Sequence, residues 1–368
     1  MSVINLLMIS SSSEKGGGPR HISLLSKYLP KNVLVYYAMP FSKNIERQKI
    51  YVENSNYLKI RERNVNFFDL INLIKFINLK KIQIIHAHGK GASIIARILS
   101  LICKKPLVYT YHGIHLKCHS RLNQIIYLIY EYFFGFIDTY KVFVSESEKD
   151  YASKKRFLNK RFKVINNGVE TKRGKIKNTR ILEKYNIKEK DKIVITVARL
   201  VEQKNIFEVI NIAKKLPKIK FLILGGGVLL EELMNYKAAN KVNNLIFTGE
   251  INNIYKFLKI SDVYLSTSIY EGHPIGILEG MSVGLPIVAS NVIGNKDTIE
   301  NKKSGYFYSL GNIDEACKYI NKIVRNPLLR DKLGNQALIK QRKNFTANLM
   351  AKKYYSLYEN LCLRNSIL

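Results

Sequence analysis

The sequence predicts an α/β fold of two doubly wound, parallel-sheet domains that face each other across a cleft. Two observations predict this fold. Short apolar, β-rich segments alternate with helical patterns along nearly the whole chain, and they form two successive series. The length of 368 residues is also sufficient for two domains, each with its own core.

The first series extends over residues 1–170. Strands are indicated where β-branched and aromatic residues cluster, because these side chains favour extended backbone. Helical spacing of apolar residues occurs between the strands, in Asp69–Leu79 and Ala92–Cys103. The predicted strands are Val3–Ser10, Asn32–Met39, Ile82–His88, Leu107–Tyr111, Lys141–Ser145 and Lys163–Ile165.

The second series occupies residues 171–345 and begins after a connection at Thr171–Asn178. Its predicted strands are Ile193–Ala198, Phe221–Leu224, Asn244–Thr248, Val263–Ser266 and Ile287–Ser290. Ligands of such sheets bind beyond the carboxyl ends of the strands, so we expect the chemistry there. An amphipathic helix at about residues 346–362 ends the chain, and it either caps the second domain or packs back on the first.

The charge balance indicates an anionic neighbour. Sixty lysine and arginine residues against 28 acidic residues give a net charge of +32, which suits a nucleic acid, a membrane surface or a phosphate-rich substrate. The basic residues form no short block typical of a nucleic-acid-binding arm, and no nucleic-acid-binding module is recognisable, so we expect no nucleic acid as partner. A hydrophobic content of 46% excludes a disordered chain.

Cysteine usage and the N-terminal sequence predict a cytoplasmic protein. The four cysteines are widely spaced and form no CxxC pair, which argues against a disulfide scaffold. The apolar run Val3–Ile9 is too short for a membrane span, and it lacks the preceding basic residues of a signal peptide. A position at the inner face of the cell membrane remains open.

The segment from Ser266 to Ser290 contains the most informative pattern. A strand ends near Thr267, and Pro274 stands at a position that favours the start of a helix. Free N–H groups at such a helix start form an anion site suited to a diphosphate, and Gly276 lacks a side chain that could block a ligand. The carboxylates of Glu271 and Glu279 are suited to accept hydrogen bonds from sugar hydroxyls.

With these residues the chain resembles the retaining glycosyltransferases of family 4, which have the GT-B fold of two Rossmann-like domains. Glu271 and Glu279 match the family's E-x7-E pattern inside the wider motif EGxPxxxLExMxxGxPxVAS. The segment Val197–Asn205 resembles the family's GRLxxxKG motif, with Ala198 and Asn205 in place of glycines. Further segments resemble family motifs in the expected order: Glu14–His21, Ile85–His88, Thr110–Gly113, Val144–Glu146, Asn166–Gly168, Leu224–Gly227 and Phe247–Glu250.

The resemblance implies a role for each matched side chain. Arg199 and Lys204 would neutralise the donor diphosphate, and Glu279 would hold the ribose hydroxyls. Glu271 and His112 would contact the transferred sugar. The implied catalytic residues are His112, Glu271, Arg199 and Lys204. The implied donor-binding residues are Gly17, Gly18, Arg199, Lys204, Glu271, Gly272, Ile275, Gly276, Ile277, Leu278 and Glu279.

The implied function is transfer of a sugar, with retention, from a nucleotide-diphosphate donor. The expected donor is a UDP-sugar, and the expected acceptor is a glycan or a lipid-linked glycan of bacterial O-antigen, capsule or related polysaccharide synthesis. Three alternatives stay open: a nucleotide-sugar 2-epimerase of the same fold, a basic nucleic-acid-binding protein and a non-catalytic sugar-nucleotide binder. The presence of both glutamates together with Arg199 and Lys204 argues against the last.

A metal site is not expected. His112, His115, Cys118 and His119 could suggest zinc, but their spacing is compressed and no second cluster supplies matching ligands. The sequence also contains no Asp-x-Asp motif for a metal-bound diphosphate. We therefore expect neither a metal nor another cofactor.

The apolar segment Arg121–Ile137 allows two interpretations. Its helical spacing favours a helix packed between sheet and solvent. The alternative is a surface for an anionic membrane or a lipid-linked acceptor, since apolar patches beside basic charge favour such bilayers.

Overall fold

The computed structural model describes residues 3–12, 16–40, 56–62, 66–114, 120–155, 161–174 and 179–365. The chain divides into two compact units. The first unit contains Met1–Gly168 and Ala347–Leu368, and the second contains Val169–Thr346.

The first unit is built on a seven-stranded parallel sheet in the order β3-β2-β1-β4-β5-β6-β7. Its strands are β1 (Ile4–Ser10), β2 (Val33–Met39), β3 (Tyr57–Lys59), β4 (Ile84–His88), β5 (Leu107–Thr110), β6 (Tyr140–Phe143) and β7 (Phe162–Val164). The helices between them are α1 (Gly17–Tyr28), α2 (Phe67–Leu79), α3 (Lys90–Cys103), α4 (Arg121–Phe134) and α5 (Glu146–Lys154).

The second unit is built on a six-stranded parallel sheet in the order β10-β9-β8-β11-β12-β13. Its strands are β8 (Lys192–Val197), β9 (Ile219–Leu224), β10 (Leu245–Gly249), β11 (Val263–Ser266), β12 (Ile287–Ser290) and β13 (Gly305–Tyr308). Its helices are α6 (Thr179–Lys184), α7 (Ile206–Lys215), α8 (Leu230–Ala239), α9 (Tyr255–Leu258), α10 (Ile275–Ser282), α11 (Asn295–Thr298), α12 (Ile313–Arg325) and α13 (Pro327–Asn344). A 3₁₀ turn lies at Glu202–Lys204.

These two sheets confirm the predicted α/β class. The central strands are almost entirely apolar because helices cover both faces of each sheet. The predicted strands agree with the observed ones to within two residues at each end, but β3 and β13 were not predicted. Both are short edge strands, and β13 begins at Gly305, a residue type that strands disfavour.

Polar residues set several helix starts. The Asn66 side chain accepts a hydrogen bond from the Asp69 N–H at 2.9 Å, and the Asp69 carboxylate accepts one from Asn66 N, which forms a capping box on α2. The Asn326 side chain accepts from the Leu329 N–H, and Pro327 takes the first position of α13. These local interactions determine the residue at which each helix begins, whereas packing determines how the helix is oriented.

The C-terminal helix α14 (Ala347–Asn365) belongs to the first unit. It packs against α1 and buries Tyr354 and Tyr358. The Tyr358 hydroxyl lies 2.7 Å from His86 Nδ1, and the Tyr354 hydroxyl lies 2.9 Å from the Thr110 hydroxyl. Within the described residues, no helix combines the length and apolarity that a membrane span requires.

Four charged side chains are buried together between α3 and α4. The Arg97 guanidinium donates to Asp138 Oδ1 at 2.9 Å and to Glu131 Oε2 at 2.9 Å, while Lys141 Nζ lies 4.0 Å from Glu131 Oε2. The Tyr111 hydroxyl also donates to Glu131 Oε2, at 2.7 Å. Since both carboxylates have a cationic neighbour, the cluster is neutral overall, and it holds one face of α4 inward.

Candidate active site

The predicted donor residues of the second unit lie where its strand order reverses. β8 is paired with β9 on one side and with β11 on the other, so loops leaving its carboxyl end diverge there. Arg199 and Lys204 follow β8, and Glu271 follows β11. In doubly wound sheets this position is the common place for a ligand.

Lys204 and Glu271 are in direct contact. Lys204 Nζ donates a hydrogen bond to Glu271 Oε1, and the Ser268 hydroxyl donates to the same oxygen at 2.6 Å. The Glu271 side chain is 8% exposed and that of Lys204 is 20% exposed. The pair is thus partly withdrawn from water, where an ammonium group and a carboxylate interact more strongly than on an open surface.

The turn that carries Lys204 is held by the loop that carries Glu271. The Thr267 hydroxyl donates to the Lys204 and Asn205 carbonyl oxygens at 2.8 and 3.0 Å, and the Gln203 side chain donates to the Tyr270 carbonyl oxygen at 3.0 Å. Asn205 adopts the left-handed conformation, with φ of 48° and ψ of 51°. Asparagine tolerates this conformation better than other residues with a side chain, so it fills the place of the family's glycine without loss of the turn.

Three positioning residues were missed by the sequence analysis. The Ser290 hydroxyl donates to the Ser268 carbonyl oxygen at 2.5 Å, and the Asn295 side chain donates to the Ser290 carbonyl oxygen at 2.9 Å. Gly294 has φ of +83°, and an added Cβ there would lie 2.6 Å from the Glu271 carbonyl oxygen. Of these, only Gly294 gives a sequence signal, since a glycine in the short connection between a strand and a helix indicates a tight turn.

Helix α10 begins one residue later than its proline suggests. Pro274 is the N-cap and Ile275 is the first helical residue. The N–H groups of Ile275, Gly276 and Ile277 are in the first turn, where an α-helix offers no acceptor of its own. The side chains of Ile277 and Leu278 are buried, so only the backbone of these predicted donor-binding residues is open to a ligand, and the Leu278 N–H already donates to the Pro274 carbonyl oxygen.

In the structure, Gly276 is required by its contact with the Tyr264 ring. A Cβ at Gly276 would lie 2.3 Å from the Tyr264 hydroxyl and 3.0 Å from the Val197 carbonyl oxygen. At Gly280, one turn later, it would lie 2.8 Å from Tyr264 Cδ2. The two glycines therefore form a groove for the Tyr264 ring, and the absence of a side chain at Gly276 is required for this internal packing.

Three further predicted donor-site residues, Glu279, Arg199 and Gly272, lie in the same unit. Glu279 is buried in α10, and its negative charge acts on the Tyr264 hydroxyl, whose pKa is raised chiefly by burial and further by Glu279. Arg199 is half-buried after β8, and Gly272 is a buried loop residue two positions before Pro274, the N-cap of α10. The two carboxylates, the two cations and the helix start are thus all in the second unit, and both carboxylates act electrostatically on the Tyr264 hydroxyl.

In the first unit, four histidines form a cluster. His86 and His88 lie on β4, His112 follows β5, and His21 lies on α1. His88 Nδ1 is 3.2 Å from His112 Nε2, and the two rings are stacked at 19°. The His21 ring packs edge-on against that of His112 with centroids 4.8 Å apart. Of these four histidines, only His112 was predicted to be a site residue, because the spacing between them along the chain gives no sign of their contact.

Burial makes these imidazoles neutral. The pKa of His21 is lowered to about 4 by burial, against a weaker opposing effect of its hydrogen bond to Asn167. Burial also lowers the pKa of His86, His88 and His112 well below the usual value, and neighbouring imidazoles lower them further. At neutral pH each ring therefore presents one N–H donor and one lone pair.

Two glycines predicted at the donor site lie in the first turn of α1. This helix begins at Gly17, and a Cβ added to Gly18 would lie 3.9 Å from His112 Cδ2. The structure therefore brings Gly18 next to His112. The other residues weighed for zinc, His115, Cys118 and His119, lie outside the described residues.

Helix α4 does not bury its apolar residues as the favoured interpretation expected. Its buried side chains are Tyr127 and Glu131. The large apolar side chains that remain exposed on or just after this helix are Leu122, Ile125, Ile126, Ile129, Tyr132, Phe133, Phe134 and Phe136. The reason is that the buried Arg97 cluster turns the Glu131 side of the helix inward, and the hydrophobic side outward.

Comparison with known families accounts for most of the chain. The family model described as Glycosyl transferases group 1 matches residues 177–339, and that described as Glycosyltransferase Family 4 matches residues 15–173.

Named relatives and a solved structure extend this similarity. An Escherichia coli protein named UDP-Gal:alpha-D-GlcNAc-diphosphoundecaprenol alpha-1,3-galactosyltransferase is 31% identical over 274 residues, covering 70% of this chain and 69% of the relative. The capsular polysaccharide biosynthesis glycosyltransferase CapM of Staphylococcus aureus is 24% identical over 317 residues, covering 82% of this chain and 83% of CapM. The crystal structure of Anabaena HepE in complex with UDP and glucose superimposes with a TM-score of 0.84 at 17% identity, covering 97% and 100% of the two chains.

Proposed function

The chain belongs to the family 4 glycosyltransferases of GT-B fold, and on this premise we propose that it transfers a hexose from a UDP-sugar, with retention, to a lipid-linked glycan of O-antigen, capsule or related polysaccharide synthesis. The proposed location is the cytoplasm, at the inner face of the cell membrane.

The contact between Lys204 and Glu271 carries the proposal. Lys204, which contacts the Glu271 carboxylate, would offer a cation to a diphosphate. The N–H groups in the first turn of α10 would offer backbone donors to the same ligand. Arg199 adds a second cation at the end of β8. These positive groups favour the departing nucleotide diphosphate, on which negative charge develops during transfer.

In the proposed mechanism the two glutamates bind different parts of the donor. Glu271 accepts hydrogen bonds from the transferred sugar, and Glu279 accepts them from the ribose. His112 contacts the sugar and is not a covalent nucleophile. In a front-face displacement the acceptor oxygen forms the new glycosidic bond as the anomeric C–O bond breaks, and the departing phosphate oxygen accepts the acceptor's proton. The UDP donor is supported by the name of the Escherichia coli relative.

Calorimetric binding of UDP, GDP and ADP to the full chain, without metal and then with magnesium, tests the donor site. We expect saturable binding of UDP in preference to the others. Absence of binding by all three nucleotides would contradict the proposed donor site.

Product analysis tests the reaction. The chain is incubated with UDP-galactose or UDP-glucose and a GlcNAc-diphosphate-prenol acceptor, and the new anomeric centre is assigned by NMR. We expect an α-linkage from the α-configured donor, and His112→Ala should lower turnover more than donor affinity. A β-linkage would refute retention. Conversion of the donor to its 2-epimer without any acceptor would instead establish the epimerase alternative.

The lipid-linked acceptor is supported by an apolar face on the first unit. This α3–α4 face consists of exposed side chains from two helices joined through the Arg97–Glu131 ion pair. Its residues are Ile94, Ile98, Leu101, Ile102, Leu122, Ile125, Ile126, Ile129, Tyr132 and Phe133. Lys104 and Lys105 follow α3 and Arg121 begins α4, so the same helices carry basic ends. Together with the net charge of +32, this composition fits an anionic bilayer.

Flotation with lipid vesicles tests the membrane contact. We expect binding to vesicles containing phosphatidylglycerol, weaker binding to pure phosphatidylcholine, and at least a 10-fold loss in the double variant I125S/I129S. The matched control V228S/L328S also removes two exposed apolar side chains, but from the second unit, and should bind as the wild type does. Equal binding by both double variants would show that another surface is responsible.

A further inference from the structure

We propose that His21, His88 and His112 form a binding site for a divalent transition metal ion, with Zn²⁺ as the ion to test. The three residues each offer one ring nitrogen, and these atoms all lie within 4.8 Å of one another. This set differs from the compressed His112–His119 group considered from the sequence, and it goes beyond the proposed sugar transfer.

The separations between the rings already suit one shared ion. Their centroids form a triangle with sides of 4.8, 5.4 and 5.5 Å. Three imidazoles bound to one tetrahedral Zn²⁺ at about 2.05 Å would have centroids about 5.2 Å apart and ligand nitrogens about 3.4 Å apart. Binding therefore requires the rings to turn, which the broad χ2 torsion of histidine permits, with little displacement of the backbone.

Two buried ring nitrogens are left over by the hydrogen bonds of the cluster. Among the described residues, His21 Nε2 and His88 Nε2 have no hydrogen-bond partner. An unpaired buried polar atom costs free energy, and an ion would supply the missing partner. His86 is different, because its nitrogens contact the Tyr358 and Thr110 hydroxyls at 2.7 and 2.8 Å. We therefore exclude His86 from the ligand set.

The neighbour of His21 selects the ring nitrogen that would bind. His21 Nδ1 lies 2.8 Å from Asn167 Oδ1. An amide oxygen only accepts, so Nδ1 carries the proton and Nε2 keeps its lone pair. This is the usual arrangement behind a metal-bound histidine, whose other N–H donates to an oxygen. Burial also keeps all three imidazoles neutral at pH 7, as metal ligands must be.

The first experiment measures Zn²⁺ binding by the full chain after treatment with a chelator. We expect one Zn²⁺ per chain with a Kd in the micromolar range or below, and a visible Co²⁺ spectrum typical of a four-coordinate ion with three nitrogen ligands and one water. H21Q and H88Q should each weaken binding at least 100-fold. N167D should tighten binding, since a carboxylate behind a ligand raises its basicity, whereas N167A should weaken it about 10- to 100-fold.

Two controls separate this site from others in the chain. H273Q removes a buried histidine of the second unit, and the double variant H115Q/H119Q removes the other histidines near residue 112; both should keep wild-type affinity. If H21Q or H88Q fails to fold, ¹⁵N-histidine NMR of the wild-type chain replaces them, and three imidazoles should shift during Zn²⁺ titration. No stoichiometric binding, wild-type affinity in folded H21Q and H88Q, loss of binding in H115Q/H119Q, or fewer than three shifting imidazoles would each overturn the proposal.

Discussion

The ammonium group of Lys204 contacts the carboxylate of Glu271, although the two residues are 67 positions apart in the chain. Each comes from a loop at the carboxyl end of one of two adjacent strands, β8 and β11. The pair is held by the hydroxyl groups of Ser268 and Thr267, one acting on the carboxylate and the other on the turn. A diphosphate would compete with Glu271 for Lys204, which couples donor binding to release of the glutamate.

Lys204→Ala and Glu279→Ala should lose donor binding. Removing a charge-assisted hydrogen bond costs about 1.5–3 kcal/mol, so we expect the Kd for the nucleotide diphosphate to rise roughly 10- to 100-fold. Lys218→Ala, which removes an exposed lysine of the same unit, is the matched control. Isothermal calorimetry measures the three Kd values. Normal binding and turnover by Lys204→Ala would show that the diphosphate lies elsewhere.

Gly276→Ala should destabilise the second unit by about 1–3 kcal/mol, the usual cost of overpacking. The new Cβ would meet the Tyr264 hydroxyl at 2.3 Å. Tyr264→Phe removes that oxygen, so the double variant should recover part of the loss, and urea unfolding of both single variants and the double variant measures this coupling. Strictly additive effects would mean that the Val197 carbonyl oxygen, 3.0 Å from the same Cβ, is the real obstacle.

Arg97→Met should destabilise the first unit by about 3–5 kcal/mol, because it leaves the buried Glu131 and Asp138 carboxylates without their main cation. Urea unfolding followed by circular dichroism provides the measurement. Lys303→Met breaks an exposed pair with Glu300 and should leave the free energy of unfolding nearly unchanged. Similar decreases in the free energy of unfolding of both variants would show that the buried cluster stabilises the fold no more than an exposed ion pair does.

His273 should make the second unit less stable in acid. Burial, and secondarily the charge of Lys340, lowers the pKa of this imidazole from 6.5 to about 3. Between about pH 6.5 and pH 3, the unfolded chain therefore binds a proton at this imidazole while the folded chain does not. The free energy of unfolding is thus highest above about pH 6.5 and decreases as the pH falls towards 3. The loss should reach about 2 kcal/mol at pH 5.

The variant His273→Gln isolates this effect from that of the other histidines. Urea unfolding of both proteins between pH 7 and pH 5 should show the wild type losing more stability than the variant. Parallel pH profiles would indicate that His273 is accessible to protons in the folded chain.

Most of the described strands were predicted from the sequence, but β3 and β13 were not. Strands such as β8 and β11 are recognisable in the sequence as short apolar segments. Residues that follow parallel strands lie at the same edge of the sheet. That rule places the loops bearing Arg199, Lys204 and Glu271 at one edge, but only the resemblance to the family implied that these residues and Glu279 serve one donor. The edge strand β13 was not predicted because it is short and begins with a glycine.

Only the tertiary structure decided what these residues touch and which face of α4 is open. The sequence by itself determined the alternation of strands and helices, because that depends on local spacing of apolar residues. It could not reveal that His21 meets His112, that Tyr264 occupies the space beside Gly276, or that Arg97 turns α4 outward. Such contacts join residues 12 to 91 positions apart, and they follow from how helices pack on the sheets rather than from any periodicity along the chain.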